Sequence, residues 1–157
     1  MSASPCAIVS YSPRHAAAWK ALSEAWILEA GFVLEPKDLK VLSDPQGQVL
    51  DRGGHIVLAV DAADLALGCG SLMPMGDGTC EVAKMAVTPS ARGRGLSRRI
   101  LQALEDRARA GGARRLYIET NSALTPAIRL YESFGFIHLP AQDTPYARAD
   151  VFMEKPL

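Results

Sequence analysis

Arg92-Gly93-Arg94-Gly95-Leu96-Ser97 holds the residue types most suited to chemistry in this chain: two glycines and two arginines set directly before an amphipathic helical pattern. Glycine lets backbone N–H groups approach an anion closely, and the first turn of a helix adds N–H groups without intrahelical partners plus a partial positive charge. Arg98 and Arg99 follow on that turn, so the natural guest is a polyphosphate. Two common phosphate loops do not fit. No GxxxxGK[ST] occurs, and a GxGxxG starting at Gly93 would need glycine where Arg98 stands. The competing reading is a plain strand-to-helix turn with solvated arginines.

Charge distribution favours the anion site. The 157 residues carry 17 Lys+Arg and 17 Asp+Glu, a formal net charge of zero, which speaks against a nucleic-acid partner. Eight arginines nevertheless fall within 91–115, against only Glu105 and Asp106. With 48% hydrophobic and 22% charged residues the composition is that of an ordinary globular protein, and the length suits a single domain over 1–157. Cys6, Cys69 and Cys80 are odd in number and lack CxxC spacing, as expected of free thiols in a reducing compartment. No run approaches the roughly 18 apolar residues of a membrane span, and no signal peptide pattern opens the chain, so a cytoplasmic protein without a membrane partner is expected. His15, His55 and His138 lack metal-ligand spacing, and no metal is expected.

The elements that must hold the loop are legible from periodicity. CAIVSY (6–11) reads as a strand. Pro13 opens a helix carrying Ala17, Leu22, Trp26 and Ala30 at near-helical spacing, with Gly31 as its stop. EPKDLKVL reads as a second helix and DPQGQVLDRGG as a loop. HIVLAV (55–60), LALGCGSLMP (65–74) and TCEVAKMAV (79–87), joined by short turns, form an antiparallel meander. From Gly95, the residues Leu96, Ile100, Leu101, Leu104 and Ala108 make one apolar stripe that ends at Gly111-Gly112. RLYIET (115–120) then returns parallel to 79–87 by a right-handed crossover. A helix over 125–134 and closing strands FIHL and ADVFMEK (149–155) complete an α/β fold, a mixed, mostly antiparallel central sheet flanked by helices. Trp19, Trp26 and Phe32 read as helix core.

Val87 followed by Arg92-x-x-Gly95-x-Ser97 resembles the acetyl-CoA pyrophosphate loop of the GNAT acetyltransferase superfamily, Arg/Gln-x-x-Gly-x-Gly/Ala, with Ser97 standing at the last small position. Ala127-Ile128-x-Leu130-Tyr131-Glu132-x-x-Gly135-Phe136 is similar to that superfamily's second signature, and the likeness is near-continuous over Gly68–Phe136. The resemblance implies the GNAT acyl-CoA N-acyltransferase fold, in which the strands at 79–87 and 115–120 splay apart. Acetyl-CoA would lie between them along the backbone of Met85, Ala86 and Val87. Its phosphates would meet Arg92, Gly93, Arg94, Gly95, Leu96, Ser97 and Arg98. Ala127 and Tyr131 would complete the site, and Asn121 is a candidate contact because Leu124 occupies the superfamily's usual Asn position.

The resemblance also implies catalytic roles. Glu81 matches the general-base Glu of histone-acetylating members, Tyr131 the proton donor to the coenzyme thiolate, and the backbone N–H near Val87 an oxyanion partner. Lys84, a charge within an apolar strand, together with Tyr146 and Arg148 before the last strand, could clamp a substrate carboxylate, which would suit an amino acid. Ordinary salt bridges with Glu119 or Glu154 are the competing account. The expected activity is direct acetyl transfer to a primary amine of a small molecule. The alternatives are a non-catalytic acyl-CoA sensor or an enzyme acting on a protein or peptide amine. A homodimer is a further expectation from the resemblance.

Overall fold

His55–Asp61 (β2) buries five consecutive residues, Ile56 to Val60, and a strand apolar on both faces needs cover on both. The structure, a computed structural model describing residues 6–157, supplies that cover from helices on either side of one seven-stranded sheet. The chain runs β1 (Cys6–Ser10), α1 (Ala16–Glu29), α2 (Pro36–Ser43), the one-turn α3 (Pro45–Gln48), β2, β3 (Ala66–Gly76) and β4 (Thr79–Val87). Then come α4 (Leu96–Ala110), β5 (Arg115–Thr120), α5 (Thr125–Ser133), β6 (Ile137–Leu139) and β7 (Val151–Pro156). The strand order is β1-β2-β3-β4-β5-β7-β6, antiparallel throughout except for the parallel pair β4–β5.

Side-chain alternation sorts β2 into two cores. Ile56, Leu58 and Val60 pack with Trp19 of α1 and Leu42 of α2, whereas Val57 and Ala59 meet Ile100, Leu101 and Leu104 of α4. Each fully buried Leu or Ile of that α4 stripe contributes about 1.5–3 kcal/mol by leaving water. Gly70 permits the contact, because a Cβ there would lie 2.8 Å from Ile100 Cγ2. No helix among the described residues is long and apolar enough to cross a membrane.

The sequence expectations differ from the structure at three places in this framework, the first being β3, which runs two residues past its expected end at Pro74. The stretch 44–54, expected as loop, folds into α3 and a 3-10 turn at Leu50–Arg52, because Asp44 accepts the Gly47 N–H at 3.0 Å and Val49 is buried behind it. The last strand begins at Val151, two residues later than expected, where its pairing with Thr120 of β5 starts.

One irregularity opens the sheet. β3 and β4 pair as Ser71↔Ala83 and then as Cys69↔Ala86, leaving Lys84 and Met85 opposite Gly70 alone, with Lys84 at φ +54°. Such a bulge bends its strand, and a non-glycine residue in the left-handed region is held there by its surroundings. The carbonyls it displaces find partners on β3: Ser71 Oγ donates to Ala83 O at 3.0 Å and Cys69 Sγ to Lys84 O at 3.4 Å. Below the bulge β4 pairs with β5 from Thr79↔Arg115 to Val82↔Ile118; above it the two strands run on unpaired with each other.

Candidate active site

The divergence of β4 from β5 leaves a cleft of about 560 Å³ walled by Met85, Ala86 and Val87 at the end of β4 and by Ala127 and Tyr131 of α5. Its floor is the loop and first turn of α4, where Arg92, Gly93, Gly95, Leu96, Ser97 and Arg98 line it. Gly93 and Gly95 sit at φ +80° and +73°, and a Cβ added to either would meet nothing within 4 Å. Backbone conformation therefore demands glycine here, and the space above both residues is open. The backbone N–H groups of Gly93 to Arg98 have no hydrogen-bond partner among the described residues, a row of donors suited to phosphate oxygens.

The four arginines do not share one task. Arg92 Nε donates to Val87 O at 3.2 Å, and its two terminal nitrogens each donate to Glu29 at 2.7 Å, holding the Glu29 carboxyl below its usual range. Arg98 donates to Ser133 Oγ at 2.7 Å and lies over the Phe134 ring. Arg94 lies outside the cleft lining, its guanidinium directed to Ser90 O, and Arg99 ties α4 to β1 through Cys6 O at 2.9 Å. The expectation for the Arg94 side chain is thus corrected: Gly93 and Gly95 turn the chain on either side of it, its guanidinium leaves the cleft, and what it offers there is its backbone N–H.

A second, smaller cavity of about 90 Å³ adjoins the cleft and shares Trp26, Met85, Ala86, Leu124 and Tyr131 with it. Tyr131 is buried, makes no hydrogen bond with a described residue, and has its pKa pushed up to about 12 by burial. Glu81 faces the smaller cavity from β4, also without a hydrogen-bond partner among the described residues. Burial, and then the negative charge of Glu119, push its carboxyl up to about 7 against the weaker opposing pull of Lys37 and Lys84.

Trp26 and Phe32 line this cavity, so the core reading holds in full for Trp19 and in part for Trp26, which also packs against the Trp19 cluster. Trp19 and Trp26 are two helical turns apart on one face of α1. The sheet beneath that face is closed under Trp19 and opened by the bulge near Trp26, so one stripe serves as core at one end and as cavity wall at the other.

The expected carboxylate clamp is corrected more substantially. Lys84 Nζ donates to Asp38 Oδ1 at 2.6 Å and to Tyr146 Oη at 3.1 Å. Arg148 grips both Asp38 oxygens at 2.7 and 2.8 Å and reaches Glu35 at 3.2 Å. The Tyr146 ring covers both cations at 4.6 and 4.5 Å. Burial alone would raise the Asp38 carboxyl, but the hydrogen bonds from Arg148 and Lys84 outweigh it and hold the group well below the usual carboxylate range. Burial lowers the Lys84 ammonium pKa against the pull of Asp38. Both cations are committed within the wall, and their partners are Asp38 and Glu35 rather than Glu119 or Glu154.

Asn121 is placed differently as well. Its Nδ2 donates to Arg148 O at 2.7 Å and its Oδ1 accepts the Ala123 N–H at 2.8 Å, so it braces the loop before β7 and faces the smaller cavity. Sequence reasoning passed over Asp38 and Glu29, and named Glu119 only as a salt-bridge partner. Asp38 carried a signal of another kind: three residues after Glu35, its Oδ2 accepts the Glu35 N–H at 2.8 Å as an N-terminal cap of α2, and the same carboxylate then serves two distant cations.

Comparison with known proteins bears on the same region. The acetyltransferase (GNAT) family model matches residues 18–136. The N-acetyltransferase YjgM of Escherichia coli is 35% identical over 95 residues, which are 59% of this chain and 57% of that protein, so the match spans less than two thirds of its length. The IAA acetyltransferase of Azospirillum brasilense is 36% identical over 125 residues, 76% of this chain and 74% of that one. Among solved structures, YncA of Salmonella typhimurium, determined with acetyl-CoA, matches 98% of this chain and 94% of its own with a TM-score of 0.75 at 21% identity, a likeness of fold. The family match takes in both splayed strands, the glycine loop and the helix bearing Tyr131, and the chain belongs to the GNAT family of acetyltransferases.

Proposed function

We propose that the protein is an acetyl-CoA-dependent N-acetyltransferase that acetylates a primary amine of a small molecule by direct attack in a ternary complex. The observation carrying this reading is the junction of the two cavities, where a buried phenol belongs to both and an unpartnered carboxylate faces the smaller one. The cleft suits acetyl-CoA on its own geometry: open space over Gly93 and Gly95, free backbone N–H groups, and the Arg98 guanidinium at its edge. Acetyl-CoA supplies the acetyl group in thioester form.

Glu81, half-ionised near neutrality, takes one proton from the acceptor ammonium and so frees the nitrogen lone pair for attack. Tyr131 holds its proton through the neutral range and gives it to the sulfur as the C–S bond breaks and the N–C bond forms. The second proton, shed by nitrogen as the amide forms, returns Tyr131 to its phenol, and Glu81 passes the first to solvent, so each turnover releases one proton. Met85, Ala86 and Val87 provide the strand edge along which an extended donor can lie.

A free-thiol release assay over a panel of amines tests the reading, with initial-rate lines that intersect for a ternary complex. Absence of thiol release from every amine, with acetyl-CoA bound, would leave a non-catalytic binding protein. Tyr131→Phe should lower kcat by about 10²-fold while leaving the KM for acetyl-CoA within about twofold; an unchanged kcat removes Tyr131 from the reaction. Gly95→Glu puts a carboxylate into the open space above the loop and strains a left-handed residue by about 1 kcal/mol. Calorimetry should show acetyl-CoA affinity reduced by at least about 10²-fold, near 2.7 kcal/mol, and undiminished affinity refutes the loop assignment.

A further inference from the structure

The charged side chains around the acceptor cavity sum to a negative charge, since Glu35, Asp38, Glu81 and Glu119 stand against Lys37, Lys84 and Arg148. Lys84 and Arg148 line it, but each is already held by Asp38, which is fully buried behind them, and Arg148 is held by Glu35 as well. Tyr146 lies over both cations. The two carboxylates that line the cavity, Glu81 and Glu119, form no ion pair among the described residues. A substrate carboxylate entering here would meet cations already neutralised by Asp38 and Glu35, with the negative charges of Glu81 and Glu119 facing it.

Glu119 is placed to be used. In the parallel pairing Glu81 stands opposite Tyr117, and Glu119 is two residues further along the same face of β5. Glu119 accepts the Tyr117 hydroxyl at 2.9 Å on one oxygen and the Thr144 hydroxyl at 2.6 Å on the other. A carboxylate has about four acceptor positions, so both oxygens retain capacity while two hydroxyls fix their orientation. Tyr131 independently marks the same space as a ligand site, since its hydroxyl lacks a partner although the residue is 8% exposed. Trp26 and Phe32 supply walls that suit an alkyl chain.

Resting on the reading of this cavity as the acceptor site, we propose that the substrate class is an amine bearing a second cationic group and no carboxylate, a short diamine, and that Glu119 is the residue that selects it. Glu81 receives the ammonium that is to be deprotonated, and Glu119 holds the charge at the other end.

Three probes of matched length test this: 1,4-diaminobutane, butylamine and 4-aminobutyrate, each with saturating acetyl-CoA. The expected order of kcat/KM is diamine above butylamine by about tenfold or more, and butylamine above aminobutyrate by a similar factor. In Glu119→Gln the diamine-to-butylamine ratio should fall to near one, while Glu119→Asp, which keeps the charge, should retain the preference. A wild-type preference for aminobutyrate, or a Glu119→Gln variant that slows diamine and butylamine alike, overturns the proposal. If no amine releases thiol, the acetyl-transfer reading fails separately. Calorimetric titration of the same three compounds into the CoA-saturated protein then decides the present proposal: selective diamine binding lost in Glu119→Gln upholds it, and equal or absent binding of the diamine overturns it.

Discussion

Glu81→Gln should reduce kcat/KM by about 10²–10³-fold at neutral pH and at the same time make the protein more stable at pH 8. The first effect follows from the loss of the only carboxylate on β4 at the acceptor cavity. In the parent, kcat/KM should rise as pH increases through about 7, the value to which burial and Glu119 push this carboxyl, because the base must be ionised to accept a proton. In the variant that rise should be absent, leaving the profile of the substrate amine alone. The second effect has the opposite sign for the same reason. A carboxyl whose pKa climbs from 4.5 unfolded to about 7 folded is most compatible with the fold below the lower value, and its contribution is lost as pH rises through the upper one. Glutamine carries no such cost, and a gain on the order of 2 kcal/mol at pH 8, shrinking to nothing by pH 4, is expected after allowing for the opening onto the cavity. Denaturant titrations at the two pH values measure it. A variant that loses both activity and stability at pH 8 would mark Glu81 as a structural residue.

Asp38→Asn should be the most destabilising single substitution in the acceptor wall. It leaves Lys84 and Arg148, 6% and 16% exposed, without their shared counter-charge. Breaking a buried ion pair from one side costs about 3–5 kcal/mol, a fall of roughly 10 °C in Tm for a domain of this size. Part of the loss should return when Lys84→Met is added, since Arg148 keeps Glu35 whereas Lys84 has no second ion pair among the described residues. The pH dependence runs opposite to that of Glu81. Arg148 and Lys84 hold the Asp38 carboxyl below its ordinary range in the face of burial, so its contribution is complete above the unfolded value of 3.8 and disappears only as pH falls through the depressed folded one. The gap between parent and variant should therefore persist from pH 8 to pH 5 and close only in stronger acid. Equal stability of the two proteins at pH 7 would show that the cluster contributes nothing.

Local signals carried much of this protein. The apolar stripe from Leu96 to Ala108 and the glycines that bound it place α4 within a residue of its observed limits, because a helix is written by periodicity and by its caps. Val87, the glycine loop and Tyr131 were legible as one site because their spacing is that of a strand, a turn and a helix that follow one another along the chain. Arg94 shows where that legibility ends: composition counts a charge, but the turn between Gly93 and Gly95 decides which way it points.

The smaller cavity depended on contacts that no spacing encodes. Lys84 meets Asp38 across 46 residues and Arg148 meets it across 110, and from the sequence alone those two cations were as available to a substrate as to the protein. Whether a charge serves a ligand or its own fold is set by what lies within about 3 Å of it, and that is a property of packing. The sequence by itself determined the helices, the strands, the glycine loop and the family to which they belong, because those follow from periodicity, capping and backbone conformation. Only the tertiary structure decided that the bulge at Lys84 opens the sheet, that Asp38 claims both cations, and that Glu81 and Glu119 are left facing the smaller cavity. Each of those outcomes is a competition for partners among residues far apart in the chain, and only folding brings the competitors together.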